Sequence, residues 1–126
     1  MLDRSLPLTL VIRNLTKQSL LADRAILANT SATRRTGLLK HDFLPDGEGL
    51  LIVPCEGVHT FGMKFPIDVI YLSKKRVVLK IRPEMPRRRI SFCLRAHSVL
   101  ELPAGMAGKT TTTVGDQLEI ERVEKE

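Results

Sequence analysis

The stretch HTFGMKFPID, residues 59–68, combines the alternation of a β-strand with a glycine, a proline and an acid. Successive side chains of a strand point to opposite faces, so a strand over Val58–Lys64 places His59, Phe61 and Met63 together. Such a face either lines a small-molecule pocket or belongs to the core. The glycine indicates a close approach by another backbone or a ligand.

Outward from this stretch, short apolar runs bounded by glycine, proline and charged residues predict further strands. One short helix is predicted within Asn29–Lys40, capped by Thr30 or Ser31 and ending near Gly37 or Lys40. Residues 82–89 hold two prolines and many charges, which predicts a loop. The other predicted strands are Leu8–Arg13, Leu20–Ala28 (as the second arm of a hairpin), Leu50–Val53, Ile67–Leu72, Val77–Ile81, Ser98–Leu102 and Gln117–Val123.

These elements predict an α+β fold that is mostly β, with a compact antiparallel or mixed sheet, able to close into a barrel, and one short helix. A chain of 126 residues has the length of one domain. We therefore expect a single domain over 1–126, in which the tail 124–126 frays.

The chain is basic, with 20 Lys and Arg against 14 Asp and Glu. Its basic clusters, Arg34–Arg35, Lys74–Arg76 and Arg87–Arg89, each lie beside a predicted turn, which is typical of solvated loop tips. The alternative is a weak footprint for nucleic acid or acidic lipid. Nucleic acid is the less favoured partner, because the aromatic residues that stack on bases are scarce.

The compartment expected from the sequence is the cytoplasm. Met1–Pro7 lacks the long apolar segment of a secretory signal, and no stretch is long enough to span a membrane. The two cysteines are then expected to be thiols rather than a disulfide.

Two acids, Asp68 and Glu101, lie in otherwise apolar strands and need a partner if buried. With His59 they form a candidate acid–base set. Alternatively, each acid tethers backbone N–H groups or pairs with an arginine. The candidate ligand-binding residues are His59, Phe61, Met63, Asp68 and Glu101.

A repeated Cys-x-x-x-His spacing joins Cys55 to His59 and Cys93 to His97. Two thiolates and two imidazoles suffice for a tetrahedral zinc site. Strand positions four apart lie about 13 Å from each other, too far to share one ion. Zinc is therefore the minority interpretation, ordinary thiols and histidines are favoured, and no cofactor is predicted.

Several motifs run in order along almost the whole chain. They are Ala28 with 34–39, Leu44–Pro45, Gly47–Leu50, His59–Val69, Val99–Gly105 and Val114–Leu118. Through these motifs the chain resembles the uncharacterised bacterial and archaeal family called domain of unknown function 192, with a family-like core over about 8–123. The resemblance implies a compact β-rich fold with one short helix, and it implies no activity, substrate or cofactor. Many members carry an export signal, which this chain does not show.

Three functions follow as hypotheses. The first is a noncatalytic binding module for a small molecule or a protein partner. The second is a metal-dependent or acid–base hydrolase that uses His59, Asp68 and Glu101. The third is a weak nucleic-acid binder acting through the basic loops. The familiar nucleotide-binding, serine-hydrolase and zinc-protease motifs are missing, so the sequence favours a protein that is not an enzyme.

Overall fold

The computed structural model describes residues 8–124, so the predictions for Met1–Pro7 and for residues 125–126 lie outside the described part. Within it, nine strands and two short helices follow one another. They are β1 (Leu8–Asn14), β2 (Ser19–Ala28), α1 (Ser31–Thr36), β3 (Glu48–Ile52), β4 (Gly57–His59), β5 (Ile67–Leu72), β6 (Val78–Met85), β7 (Ile90–Phe92), β8 (Ser98–Pro103), α2 (Met106–Lys109) and β9 (Leu118–Glu124).

Seven strands form one mixed sheet in the order β6-β5-β8-β3-β2-β1-β9, while β4 and β7 pair separately as a two-stranded ribbon. Only β2 and β3 are parallel among the described ladders, because the crossover between them carries α1. The outer strands approach each other at the bridge between Val77 and Gln117, but the sheet is not closed into a barrel. The predicted mostly-β, α+β fold is confirmed.

Strands β5 and β8 lie at the centre of the fold and are buried along their whole length. Their apolar side chains divide between two clusters, since alternate residues point to opposite faces. Ile70 and Leu100 belong to one cluster, and Val69 and Val99 to the other. Burial on both faces explains why these strands appear in the sequence as nearly continuous apolar runs.

The N-terminal predictions are confirmed. Strands β1 and β2 form an antiparallel hairpin. Helix α1 begins after Thr30, whose side-chain oxygen accepts a hydrogen bond from the Thr33 N–H, and it ends at Gly37. The side chain of Thr33 in turn accepts from the Thr30 N–H, and together these bonds satisfy N–H groups that a helix start leaves without intrahelical partners.

The strand predicted over Val58–Lys64 is wrong beyond His59. The Thr60 hydroxyl donates to the Pro86 carbonyl at 2.6 Å and accepts from the Arg89 N–H at 2.9 Å, and these bonds draw the chain into a turn. Gly62 follows at φ +82°, a conformation that glycine adopts without strain.

Two further expectations need correction. The segment predicted as a loop over residues 82–89 is strand as far as Met85, because β6 pairs with β5 until Ile67 meets Met85. The helix α2, of four residues, is an addition to the one helix predicted. The short strand β7 was also not predicted.

No helix among residues 8–124 has both the length and the apolar character needed to cross a membrane.

Candidate functional site

A pocket of about 270 Å³ opens between the C-terminal end of α1, the segment from β3 to β4, and the buried strand β8. Its walls are both apolar and polar. Side chains of Leu38, Ile52, Val58 and Met63 contribute the apolar surface, and Arg34, Arg35, Cys55, His59 and Glu101 contribute the polar groups. The pocket lies over the same sheet face as Val69 and Val99.

Glu101 is the most unusual group in this pocket. It lies on β8 opposite Leu50 of β3 and Val69 of β5, and only 5% of the residue is exposed. Within residues 8–124, its carboxyl group has no hydrogen-bond or ion-pair partner among the other residues. Burial raises the pKa of Glu101 to about 7, because the charged form loses water without gaining a compensating contact. The protonated form of this carboxyl group therefore persists to a higher pH than that of an exposed glutamate.

Asp68 is buried on the opposite face of the sheet. It pairs in register with Leu102, one position beyond the Val69–Glu101 pair, so the two acids point in opposite directions. Its carboxylate accepts three backbone N–H groups, from Glu84 at 2.7 Å, Gly105 at 3.0 Å and Ala107 at 2.7 Å. Asp68 is thus a tether for the start of α2 and does not meet Glu101.

The three residues expected to share a strand face are dispersed. Met63 is buried and lines the pocket. His59 borders the pocket, but it is exposed and faces Ile90 across the β4–β7 ribbon. Phe61 is half-exposed in the following turn, with its ring centroid 6.0 Å from that of His59.

The two Cys-x-x-x-His pairs do not assemble into one site. Among the described residues, no three His, Cys, Asp or Glu side chains are grouped so that they could hold a metal ion. Cys55 lines the pocket, whereas His97 borders a separate cavity of about 170 Å³. Both Cys55 and Cys93 are free thiols.

The Cys55 thiol is poorly suited to act as a nucleophile. It donates a hydrogen bond to the Gly57 carbonyl, at a sulfur–oxygen distance of 3.0 Å. Burial raises the pKa of Cys55, and the negative charge of nearby Glu101 raises it further. Since the thiolate is the reactive form, this environment favours an inert thiol.

Two arginines also line the pocket, whereas the sequence analysis favoured solvated loop tips for them. Arg34 is fixed by its own hydrogen bonds, from Nε to the Thr30 carbonyl at 3.3 Å and from Nη1 to the Pro54 carbonyl at 3.2 Å. Arg35 is exposed and makes no ion pair within residues 8–124. The signal in the sequence that could have assigned these arginines to the pocket is their position in the last turn of the one predicted helix.

Comparison with known proteins identifies relatives of unknown function. The family model DUF192, described as an "Uncharacterized ACR", matches residues 12–120. No curated protein matches the sequence. A protein of unknown function from Novosphingobium aromaticivorans has a similar crystal structure, with a TM-score of 0.76 and 23% identity over 87% of this chain and 82% of that one.

A second similar structure is described as a putative transcription regulator from Sinorhizobium meliloti. It has a TM-score of 0.78 and 18% identity, over 93% of this chain and 96% of that one. At these identities the likeness shows a shared fold, and it carries no function from either protein to this one.

Proposed function

This chain belongs to the uncharacterised DUF192 family, and we propose that within it this domain is a noncatalytic module that binds a small organic molecule in the pocket around Glu101. The two free thiols support the cytoplasm as its compartment.

The observation that carries the proposal is the missing partner of Glu101. Buried side-chain polar atoms nearly always have a hydrogen-bond partner, because desolvation without one is costly. The carboxyl group of Glu101 makes no hydrogen bond to another residue within 8–124, and its oxygens, which the protein does not fully enclose, line a pocket of about 270 Å³. A bound molecule can supply the missing hydrogen bond. The pocket volume is close to the lower end of the range for ligand sites, which favours a small ligand.

The pocket walls indicate the chemistry of this ligand. A hydroxyl or amino group would hydrogen-bond to Glu101, while a short aliphatic body would contact Leu38, Ile52 and Met63. The unpaired guanidinium of Arg35 lies at the same pocket and favours an anionic group. The ligand class is therefore a small hydroxy or amino acid with an aliphatic side chain.

The same geometry supports binding over the hydrolase alternative. Asp68 is fully engaged with backbone N–H groups on the other sheet face, so it is not paired with Glu101. His59 lies on the exposed ribbon, and the Cys55 thiol is held in its protonated form. The hydrolase alternative needs His59, Asp68 and Glu101 to act on one substrate, and Asp68 lies on the other sheet face.

A titration of the full chain followed by amide NMR tests the proposal with three matched probes. Leucic acid carries the hydroxyl, the aliphatic body and the carboxylate; isocaproic acid lacks the hydroxyl; leucic amide lacks the anion. We expect leucic acid to shift the amide signals of pocket residues at the lowest concentration. The other two probes should bind more weakly, because each leaves either Glu101 or the arginines without a contact.

The variant Glu101→Leu should abolish this preference for the hydroxyl. The variant Glu56→Gln is the control, because Glu56 is an exposed acid in the segment between β3 and β4 and does not line the pocket. Pocket signals that stay unchanged with all three probes at millimolar concentration would overturn the proposal. So would equal binding by wild type and Glu101→Leu.

A further inference from the structure

The two-stranded ribbon of β4 and β7 exposes a row of large apolar side chains. Its pairing places Ile90 opposite His59 and Phe92 opposite Gly57, so Ile90 and Phe92 share the outward face. Two further exposed apolar residues lie next to the ribbon: Phe61, whose ring centroid is 6.0 Å from that of His59, and Leu94, two residues after Phe92 in the chain. Exposure is 65% for Ile90, 60% for Phe92, 75% for Leu94 and 48% for Phe61. We call these four residues the ribbon face.

The ribbon is held on the protein by its other side. Ser91 is buried, and its hydroxyl oxygen lies 2.9 Å from the hydroxyl oxygen of Tyr71. Val58 packs against the core cluster beneath. The ribbon face therefore sits on an anchored support, and its apolar side chains are turned away from the core.

Four arginines flank the ribbon face in the chain. Arg87, Arg88 and Arg89 directly precede it, and Arg95 lies in the turn after Leu94. All four are exposed, and none forms a salt bridge within residues 8–124. These four positive charges are therefore not neutralised by ion pairs, and they complement an anionic partner.

We propose that the ribbon face docks on an anionic lipid surface, with its apolar side chains in the acyl boundary and the arginines among the headgroups. This combination of exposed apolar residues and adjacent basic residues is how peripheral proteins bind such surfaces. The most exposed members are aliphatic, which suits hydrocarbon and does not provide stacking on bases. The side chains also protrude from a ribbon and a tight turn, rather than lining a groove that a peptide could fill.

Co-sedimentation of the full chain with vesicles tests this inference. We expect binding to vesicles of phosphatidylcholine that contain phosphatidylserine, and little binding to phosphatidylcholine alone. Raising the salt concentration should weaken binding, because the headgroup attraction is screened. Replacing Arg87, Arg88 and Arg89 by serine should weaken it about tenfold or more. The same replacement of Lys74 and Lys75, which are exposed on another turn, should change vesicle binding little.

The apolar contribution has its own matched control. Leu94→Ser should weaken vesicle binding roughly fivefold, because less hydrocarbon is removed from water. Val114→Ser should leave binding unchanged, although Val114 is exposed to a similar extent, at 63%, elsewhere on the surface. These are exposed positions, so circular dichroism should show that all variants remain folded.

Several results would overturn the inference. These are the absence of binding to the phosphatidylserine vesicles, equal binding to both kinds of vesicle, and equal weakening by the test and control substitutions. A single-stranded RNA probe tests the alternative that the partner is a nucleic acid. If the chain binds oligouridine but not the vesicles, and Phe92→Leu removes this binding while keeping the apolar surface, the ribbon face is a base-stacking platform instead.

Discussion

Replacing Glu101 by glutamine should change how the stability of the protein depends on pH. Burial places the pKa of Glu101 at about 7, against 4.5 for the free side chain. The folded state therefore holds this proton more tightly than the unfolded state. The stabilisation that results is fully present below pH 4.5, and it is lost as the pH rises through 7. The difference between the two pKa values corresponds to about 3 kcal/mol lost at high pH.

Glutamine keeps the size of the side chain and remains neutral, so Glu101→Gln should not lose this free energy. Urea unfolding of both proteins between about pH 5 and about pH 8.5 measures the effect. The stability of Glu101→Gln relative to wild type should rise by about 2 to 3 kcal/mol across that range. The other titrating groups cancel in this difference because both proteins contain them, except for the Cys55 thiol, whose pKa is raised by the charge of Glu101.

Glu56→Gln provides the control, since that carboxyl group is exposed and its replacement should give a difference that is flat with pH. If the Glu101→Gln difference is equally flat, the carboxyl group of Glu101 is solvated or paired in solution. The reasoning that makes it a ligand-binding group would then be refuted together with the pH effect.

Four substitutions test the scaffold around the pocket. Asp68→Asn should lower the unfolding free energy by roughly 3 kcal/mol in urea titrations, since three backbone N–H groups lose a charged acceptor. Gly49→Ala should cost about 1 to 3 kcal/mol in the same assay, because the new methyl group would lie 3.0 Å or less from neighbouring atoms. Gly108→Ala, with open space around it, should cost nothing measurable. Tyr71→Phe should leave the Ser91 hydroxyl without its partner and speed hydrogen exchange of the β7 amides.

The parts of the fold that the sequence predicted depend on local physics. The β1–β2 hairpin follows from alternating side chains around a polar turn, and α1 follows from Thr30 as its cap and Gly37 as its end. The buried strand β5 is an apolar run of strand length. In each case neighbouring residues contain the information, and distant contacts agree with it.

The failed predictions concern segments whose structure depends on distant partners. The alternation that predicted a strand over Val58–Lys64 is overridden by Thr60, which bonds to a loop 26 residues away in the chain. Strand β7 is three residues long and exists through its pairing with β4. Helix α2 has no side-chain cap of its own, and its start is held by Asp68 from β5. No local pattern specifies these contacts.

The different roles of Asp68 and Glu101 follow from the register between β5 and β8. In sequence they are alike, each a single acid in an apolar strand. Since side chains alternate, a slip of one residue would turn Glu101 away from the pocket. Asp68 opposes such a slip, because it binds the N–H groups of Gly105, in the turn after β8, and of Ala107, in helix α2. The acid that binds backbone N–H groups therefore holds in place the acid that we propose binds the ligand.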